Sequence, residues 1–383
     1  MGLTFTEEQE ELRTTLRRFL ADKAPSAAVR RWMESDEGHD PQLWRQMAGQ
    51  LGLHGLALPE EYGGSGGGPV ELGIVLEETG RALLPSPYFA TVALAGQALA
   101  VSEDAAAKAR WLPAIADGSL TATLALAEAS GSWLPADVTA RAAPGGDDGR
   151  DGWTVSGTKM FVVDGHTADL LLVVARADTG PALFAVDAAA PGVTRTRLET
   201  LDPTRHLGRV DLDGAPALRV GPDGDASAYL LTVLDLAVVA LAAEQVGGAQ
   251  ACLDGAVEYA KVRTQFGRPI GSFQAIKHKC ADTLVKVEAA RSAAYHAASV
   301  AAEGGSGPPV SGLAVSAALA AAYCADAFTH AAKENIQIHG GIGYTWEHDA
   351  HLYLKRAKSS EQLFGNPAAH RARLADLVGI RHR

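Results

Sequence analysis

The stretch Tyr259 to Asp282, YAKVRTQFGRPIGSFQAIKHKCAD, and its companion Gln337 to Lys358, QIHGGIGYTWEHDAHLYLKRAK, decide the fold of this chain. Both lie in a region that begins near Tyr229, is rich in Ala and Leu, and keeps helical spacing through Leu377 with one break at Gly304 to Pro309. Long Ala-rich helices joined by few short loops predict a bundle. Upstream, from about Thr121 to Asp225, the texture is that of short strands: TATLALAEA, GWTVSGTKMFVVDG, LLLVVAR and ALFAVDA, separated by clusters such as PGGDDGRDG. Further upstream, Leu12, Leu16, Phe19 and Leu20 return to helical spacing, and Val70 to Leu83 repeats the theme. Thr6 and Gln9 form a capping-box pattern ahead of the first helix, and EEYGGSGGG is a glycine-rich turn between helices. The predicted order is a helical domain over residues 1–120, a central β domain over 121–226 and a helical bundle over 227–383, an α+β chain that is mostly α.

Composition narrows the function. The 383 residues carry 45 acidic against 34 basic side chains, a formal net charge of -11, which argues against nucleic-acid or anionic-membrane partners. With 47% hydrophobic and 21% charged residues the chain is an ordinary globular protein. Cys252, Cys280 and Cys324 are far apart and read as small core hydrophobes rather than as a disulfide framework or zinc site. Glu7, Glu8, Glu10 and Glu11 stand where a signal peptide needs a basic flank, so a cytoplasmic location is expected. The most apolar run, Tyr229 to Ala243, is broken by Thr232 and Asp235 and falls short of the about 20 apolar residues a bilayer demands; it reads as a buried helix.

Generic motifs come out weak. Gly63, Ser65 and Gly67 satisfy G-x-S-x-G, but that motif needs a strand entering a sharp turn, and LPEEYGG precedes it here. Gly340, Gly341 and Gly343 do not complete a dinucleotide fingerprint, and no Walker A sequence occurs. Glu347, His348, Asp349 and His351 are metal-ligand types without the spacing of a zinc helix, so they read as solvated helix surface and no metal is expected.

The two opening segments, by contrast, closely resemble signature stretches of the acyl-CoA dehydrogenase family. The resemblance covers the whole chain, including the PEEYGG turn and the AEASGS and SGTKMFVVDG runs. It implies an N-terminal helical domain, a central β-barrel-like domain and a C-terminal four-helix bundle, assembled as dimers or tetramers with FAD across a subunit interface. Arg263 matches the arginine on the FAD pyrophosphate, a role suited to a forked guanidinium. Gln265 and Phe266 match its hydrogen-bonding and packing neighbours, and Gln274 the residue toward adenosine. Gln337, Gly340 and Gly341 match the stretch that approaches the neighbouring subunit's FAD, where a missing Cβ permits close backbone approach. Leu126, Ala127 and Glu128, then Phe161, Val162 and Val163, match the two strands along the isoalloxazine ring.

The base is where the sequence departs from the family. An acyl-CoA dehydrogenase needs a glutamate at the α-carbon while hydride leaves the β-carbon. At the two usual positions this chain has Phe364 and Ala237. Glu244, seven residues beyond Ala237 and so two helical turns on, roughly 10 Å along the axis, is the remaining candidate, with a structural carboxylate as its alternative. Trp133 replaces a small serine beside the thioester, so Trp133, Ala237 and Phe364 are expected to line and reshape the acyl pocket.

Three readings follow from the resemblance. One is an FAD-dependent dehydrogenase of acyl-CoA or acyl-carrier thioesters, with an unusual base or one supplied by a related subunit. Another is a flavoenzyme of the same fold with oxygen-dependent or non-redox chemistry. The third is a non-catalytic partner subunit. The electron acceptor is an electron-transfer flavoprotein or oxygen.

Overall fold

The computed structural model describes residues 5–145, 152–304 and 311–380. The predicted breaks at PGGDDGRDG and GGSGPP therefore lie largely outside the described residues. The helices are α1 (Glu7–Lys23), α2 (Ser26–Glu34), α3 (Pro41–Gly49), α4 (Pro69–Arg81), α5 (Gln97–Ala100), α6 (Ala105–Ala116), α7 (Ser227–Val262), α8 (Gln274–Glu303), α9 (Ser311–His339), α10 (Ala350–Ser360) and α11 (Pro367–Leu377). A π-helical stretch, Phe89–Gly96, leads into α5. The capping box holds: Thr6 Oγ1 accepts from Gln9 N at 3.2 Å and Thr6 N donates to Gln9 Oε1 at 3.0 Å.

Between the helices lie strands β1 (Ala122–Ala125), β2 (Arg141–Pro144), β3 (Trp153–Val163), β4 (Leu170–Ala177), β5 (Gly180–Asp187), β6 (Val193–Arg197) and β7 (Leu207–Val220). Antiparallel pairing runs from β4 to β5, β7, β3 and β2, and the single parallel bridge Arg141–Arg176 returns β2 to β4, closing a small barrel. β1 joins β4 in parallel, and β6 flanks β7. The largely buried β4 and β5 are the runs LLLVVAR and ALFAVDA, as a continuous apolar run predicts.

Packing gathers the chain into two compact units, each discontinuous in sequence. One holds residues up to Arg31, Pro69–Leu84 and everything from Val238; the other holds Trp32–Gly68 and Pro85–Ala237. In the first, Ala249 and Cys252 of α7, Val287 of α8, Phe328 and Ala332 of α9 and Ala357 of α10 share one core, the expected four-helix bundle. In α4 the adjacent Glu77 and Glu78 are buried and satisfied: Tyr295 Oη donates to Glu77 at 2.7 Å, and Arg17 grips Glu78 through two bonds of 2.6 and 2.9 Å.

α4 and α7 cross closely enough to require glycine on both sides. A Cβ at Gly80 would lie 2.2 Å from the Glu244 carbonyl oxygen, and one at Gly247 would lie 1.8 Å from the Glu77 carbonyl oxygen. Both obstacles are backbone and cannot swing aside. Gly247→Ala is therefore expected to lose at least about 1–3 kcal/mol in denaturant unfolding. Gly255→Ala on the same helix, whose nearest neighbour would be Asn335 Oδ1 at 3.7 Å, should instead gain up to about 1 kcal/mol. Equal responses from the two variants would contradict the crossing geometry.

The expectation for Tyr229 to Ala243 needs a correction in length. Thr232 and Asp235 do not interrupt α7, which runs unbroken for 36 residues and by length and composition alone is long enough to cross a membrane. Its most apolar window is 89% buried within the fold, which accounts for its hydropathy.

Candidate active site

The two stretches of the β domain that the resemblance assigns to the flavin meet side by side. β3 pairs regularly with β7 as far as Lys159 opposite Val210, then resumes at Val162 opposite Gly208, leaving Met160 and Phe161 in a bulge. Phe161 takes a left-handed φ of 57°, a conformation that disfavours aromatic side chains, and stands partly exposed. Met160 N donates to Ala127 O at 2.9 Å, and Thr123 Oγ1 donates to Val163 O at 2.6 Å, so the two stretches lie against each other, with Phe161 exposed and Leu126, Ala127 and Val163 buried.

Between these stretches lies an ion pair with no signal in the sequence motifs. Lys159 is 0% exposed, and its Nζ donates to Glu128 Oε1 at 2.7 Å and to Leu126 O at 3.1 Å. Burial pushes the lysine down to about 8 even though Glu128 opposes the shift. Burial also tends to raise Glu128, but bonds from Lys159, Thr139 and Ala140 outweigh it and hold the carboxyl at about 2. Since the folded value lies below the ordinary 4.5, the Glu128 contribution is complete above that pH and is lost as pH falls toward 2. Acid unfolding of Glu128→Gln should accordingly depend less on pH in that window than wild type; parallel curves would show the carboxylate to be uninvolved.

In the other unit, Arg263 leaves α7 and enters a two-residue hairpin, Thr264–Gln265 paired with Arg268–Pro269. The turn residues Phe266 and Gly267 both have positive φ, 53° and 75°, the requirement of a type I′ turn usually met by Asn-Gly. Gln274 opens α8, and Gln337, Gly340 and Gly341 close α9. The flanks of these segments pack together through Tyr259, Ile270, Ile276 and Ile338, while all seven predicted side chains or glycines are exposed. Gly340 needs its glycine for a φ of 64°. Gly341 has neither a left-handed φ nor any atom within 4 Å of a would-be Cβ, so this chain alone gives no reason for its glycine.

These residues fit FAD on two observations. Among the described residues, Arg263 has no ion pair or side-chain hydrogen bond, leaving its guanidinium available to a pyrophosphate. Phe266 is 91% exposed in a costly backbone conformation, with only the edge of Phe273 beside it at 6.1 Å between centroids. An aromatic ring placed so is provided with a surface only by a ligand or another chain.

The positions at which the resemblance expects a base look different. Phe364 is buried at a φ of 59°, and Ala237 is buried in its own unit. The space between α7 and the turn after α10, lined by Val238, Leu241, Gln245, Ala325, Leu363 and His370, is about 10 Å³, room for one water at most. Glu244 is buried, and Arg356 Nη1 donates to it at 2.8 Å. That geometry belongs to a structural carboxylate, whose buried charge is compensated by the buried guanidinium. Trp133 is half-buried in the loop after Glu128.

The weaker motifs resolve into structure. The Gly63 to Gly67 stretch follows a single 3₁₀ turn and folds back on residues 55–58, with Ser65 N on Gly55 O and Gly67 N on Leu56 O, both at 2.9 Å. Glu347 to His351 is not simply solvated surface, which corrects the sequence reading. Arg30 of α2 holds Asp349 at 2.6 Å, His348 Nδ1 accepts from Ala350 N at 3.1 Å, and His351 is buried.

The fold is thus a barrel between helical segments and a helical bundle, with a bulged strand in the one and, in the other, a hairpin that carries an arginine without a side-chain partner among the described residues and an exposed phenylalanine. Three family profiles match in succession: acyl-CoA dehydrogenase N-terminal domain over residues 6–119, middle domain over 123–213 and C-terminal domain over 227–378. The chain belongs to the acyl-CoA dehydrogenase family, and is a flavin oxidoreductase with FAD as its cofactor. It is 38% identical to acyl-CoA dehydrogenase IpdE2 of Mycobacterium tuberculosis, covering 95% of both chains. Among solved structures it resembles the Tcur3481-Tcur3483 steroid ACAD, at 37% identity and a TM-score of 0.87 over 97% of this chain and 98% of that one. It also resembles a chain of the ChsE4-ChsE5 complex of Mycobacterium tuberculosis, at 29% identity and a TM-score of 0.89 over the full length of both.

Proposed function

We propose that the chain is one subunit of a hetero-oligomeric acyl-CoA dehydrogenase that introduces an α,β double bond into a steroid-type acyl-CoA, with a related subunit supplying the base. The carrying observation is the split between its two halves of chemistry. The cofactor residues of the hairpin and helix ends are present and exposed, while Phe364 and Ala237 hold no carboxylate and Glu244 is paired with Arg356. The likeness to a steroid ACAD and to a two-component complex supports both the substrate class and the assembly.

In this reading Arg263 holds the pyrophosphate, and Gln265 and Gln274 add hydrogen bonds toward the adenosine end. Phe266 packs on the cofactor. Gln337, Gly340 and Gly341 approach the cofactor of the neighbouring subunit, which gives Gly341 the reason that its own chain lacks. Leu126, Ala127, Phe161 and Val163 line the flavin ring, and Trp133 shapes the acyl side. When bound, FAD would supply the hydride acceptor for the β-carbon, and the partner's carboxylate would take the α-proton; an electron-transfer flavoprotein is the proposed electron acceptor.

Co-expression with a glutamate-bearing relative from the same genome tests this reading. Light scattering and mass spectrometry should give a mixed dimer or tetramer, and a steroid-type acyl-CoA should bleach its flavin faster than a straight-chain one. A monomer carrying a full complement of FAD, or rapid bleaching of the pure homo-oligomer, would overturn it.

A further inference from the structure

Lys159 stands where the alternation of β3 calls for an apolar side chain. Val155 shares its parity and is likewise buried, yet at Lys159 the chain buries an ammonium completely. Such a group is costly unless it is paired. Glu128 is only part of the explanation, because that carboxylate is already satisfied without the lysine. It accepts from Thr139 N at 2.9 Å, Thr139 Oγ1 at 2.5 Å and Ala140 N at 2.9 Å. The contact that only the lysine makes is with the Leu126 carbonyl, at 3.1 Å.

That carbonyl is the first of two held in succession. The next, Ala127 O, accepts from Met160 N at 2.9 Å. The side chain of residue 159 and the backbone of residue 160 thus clamp consecutive peptides of the opposing stretch, immediately before the left-handed Phe161. A cation on a peptide oxygen also polarises that peptide, strengthening the N–H at its far end, here that of Ala127.

We propose that Lys159 is a positioning residue for the flavin: its grip on the Leu126 carbonyl fixes the spacing between residues 126–128 and the Phe161 bulge and aims the Leu126–Ala127 peptide at the ring. The proposal rests on the reading that these two stretches line the flavin. A purely structural ion pair would stabilise the barrel without touching the cofactor's spectrum.

Lys159→Met alone strands the Glu128 charge and risks unfolding the barrel. The informative comparison is therefore Glu128→Gln against the double variant Glu128→Gln/Lys159→Met, in which no buried charge of the pair remains. Each is titrated with FAD in complex with its partner subunit, and flavin absorbance and fluorescence are recorded. On removing the lysine, the Kd for FAD should rise about tenfold, the scale of one lost charge-assisted contact, and the visible flavin bands should move. Equal affinity and superimposable flavin spectra in the two variants would overturn the proposal, whatever happens to unfolding temperature. A wild-type complex that takes up no FAD would overturn the cofactor reading of these strands, and the proposal with it.

Discussion

Purified alone, the chain is expected to dehydrogenate acyl-CoA thioesters about 10²- to 10⁴-fold more slowly than the pair formed with a glutamate-bearing relative, the usual cost of a missing general base. The expectation rests on Phe364, Ala237 and the engaged Glu244. Glu244→Gln separates the possibilities, because it keeps size and hydrogen bonding while removing charge. If Glu244 were the base, the variant would fold normally and lose flavin bleaching by substrate. In the geometry described here it instead removes the charge that Arg356 Nη1 faces at 2.8 Å inside the fold, so stability should fall, by up to about 3–5 kcal/mol, while the rate in the reconstituted pair holds. Rapid bleaching in the pure homo-oligomer that survives Glu244→Gln would defeat both accounts.

Two substitutions in the hairpin should weaken FAD retention through different physics. Arg263→Ala removes the unpaired guanidinium, and docking a pyrophosphate without its cation should cost about 2 to 5 kcal/mol of binding. Because Arg263 has no partner among the described residues of its own chain, unfolding should barely change. Phe266→Asn makes the sharper case. Asparagine suits the left-handed turn position better, so the hairpin itself gains, on the order of 1 kcal/mol. Cofactor retention should nevertheless fall, since the exposed ring is lost. A variant that gained in both stability and retention would show that Phe266 serves no ligand.

The opening segments made the family legible, and the capping box, β3, β4 and β5 were legible from local pattern. β7 was not: LGRVDLDGAPALRV mixes charges, glycine and proline within 14 residues, and only its three strand neighbours explain why it is a strand. β2 and β6 were hidden for a related reason, being short and half-exposed. The left-handed Phe161, Phe266 and Phe364 could not be read from residue type, because aromatic residues ordinarily avoid that conformation. One weak signal was available: Phe-Gly between two short extended runs is an odd occupant of a hairpin turn. The Lys159–Glu128 and Arg356–Glu244 pairs join residues 31 and 112 positions apart, beyond any periodicity.

The α4–α7 crossing bears on the order in which the protein can be made. α4 leaves the ribosome long before α7 exists, yet its glycine face fits only against Glu244 and Gly247. The unit that contains α1 and α4 closes with residues from Val238 onward, after the whole barrel has been synthesised. The nascent chain must therefore carry an unfinished helical pair, with Glu77 still lacking Tyr295, while the barrel forms behind it. A polypeptide truncated before Val238 should keep barrel structure but leave α4 open to proteases, and it should be a preferred client of chaperones.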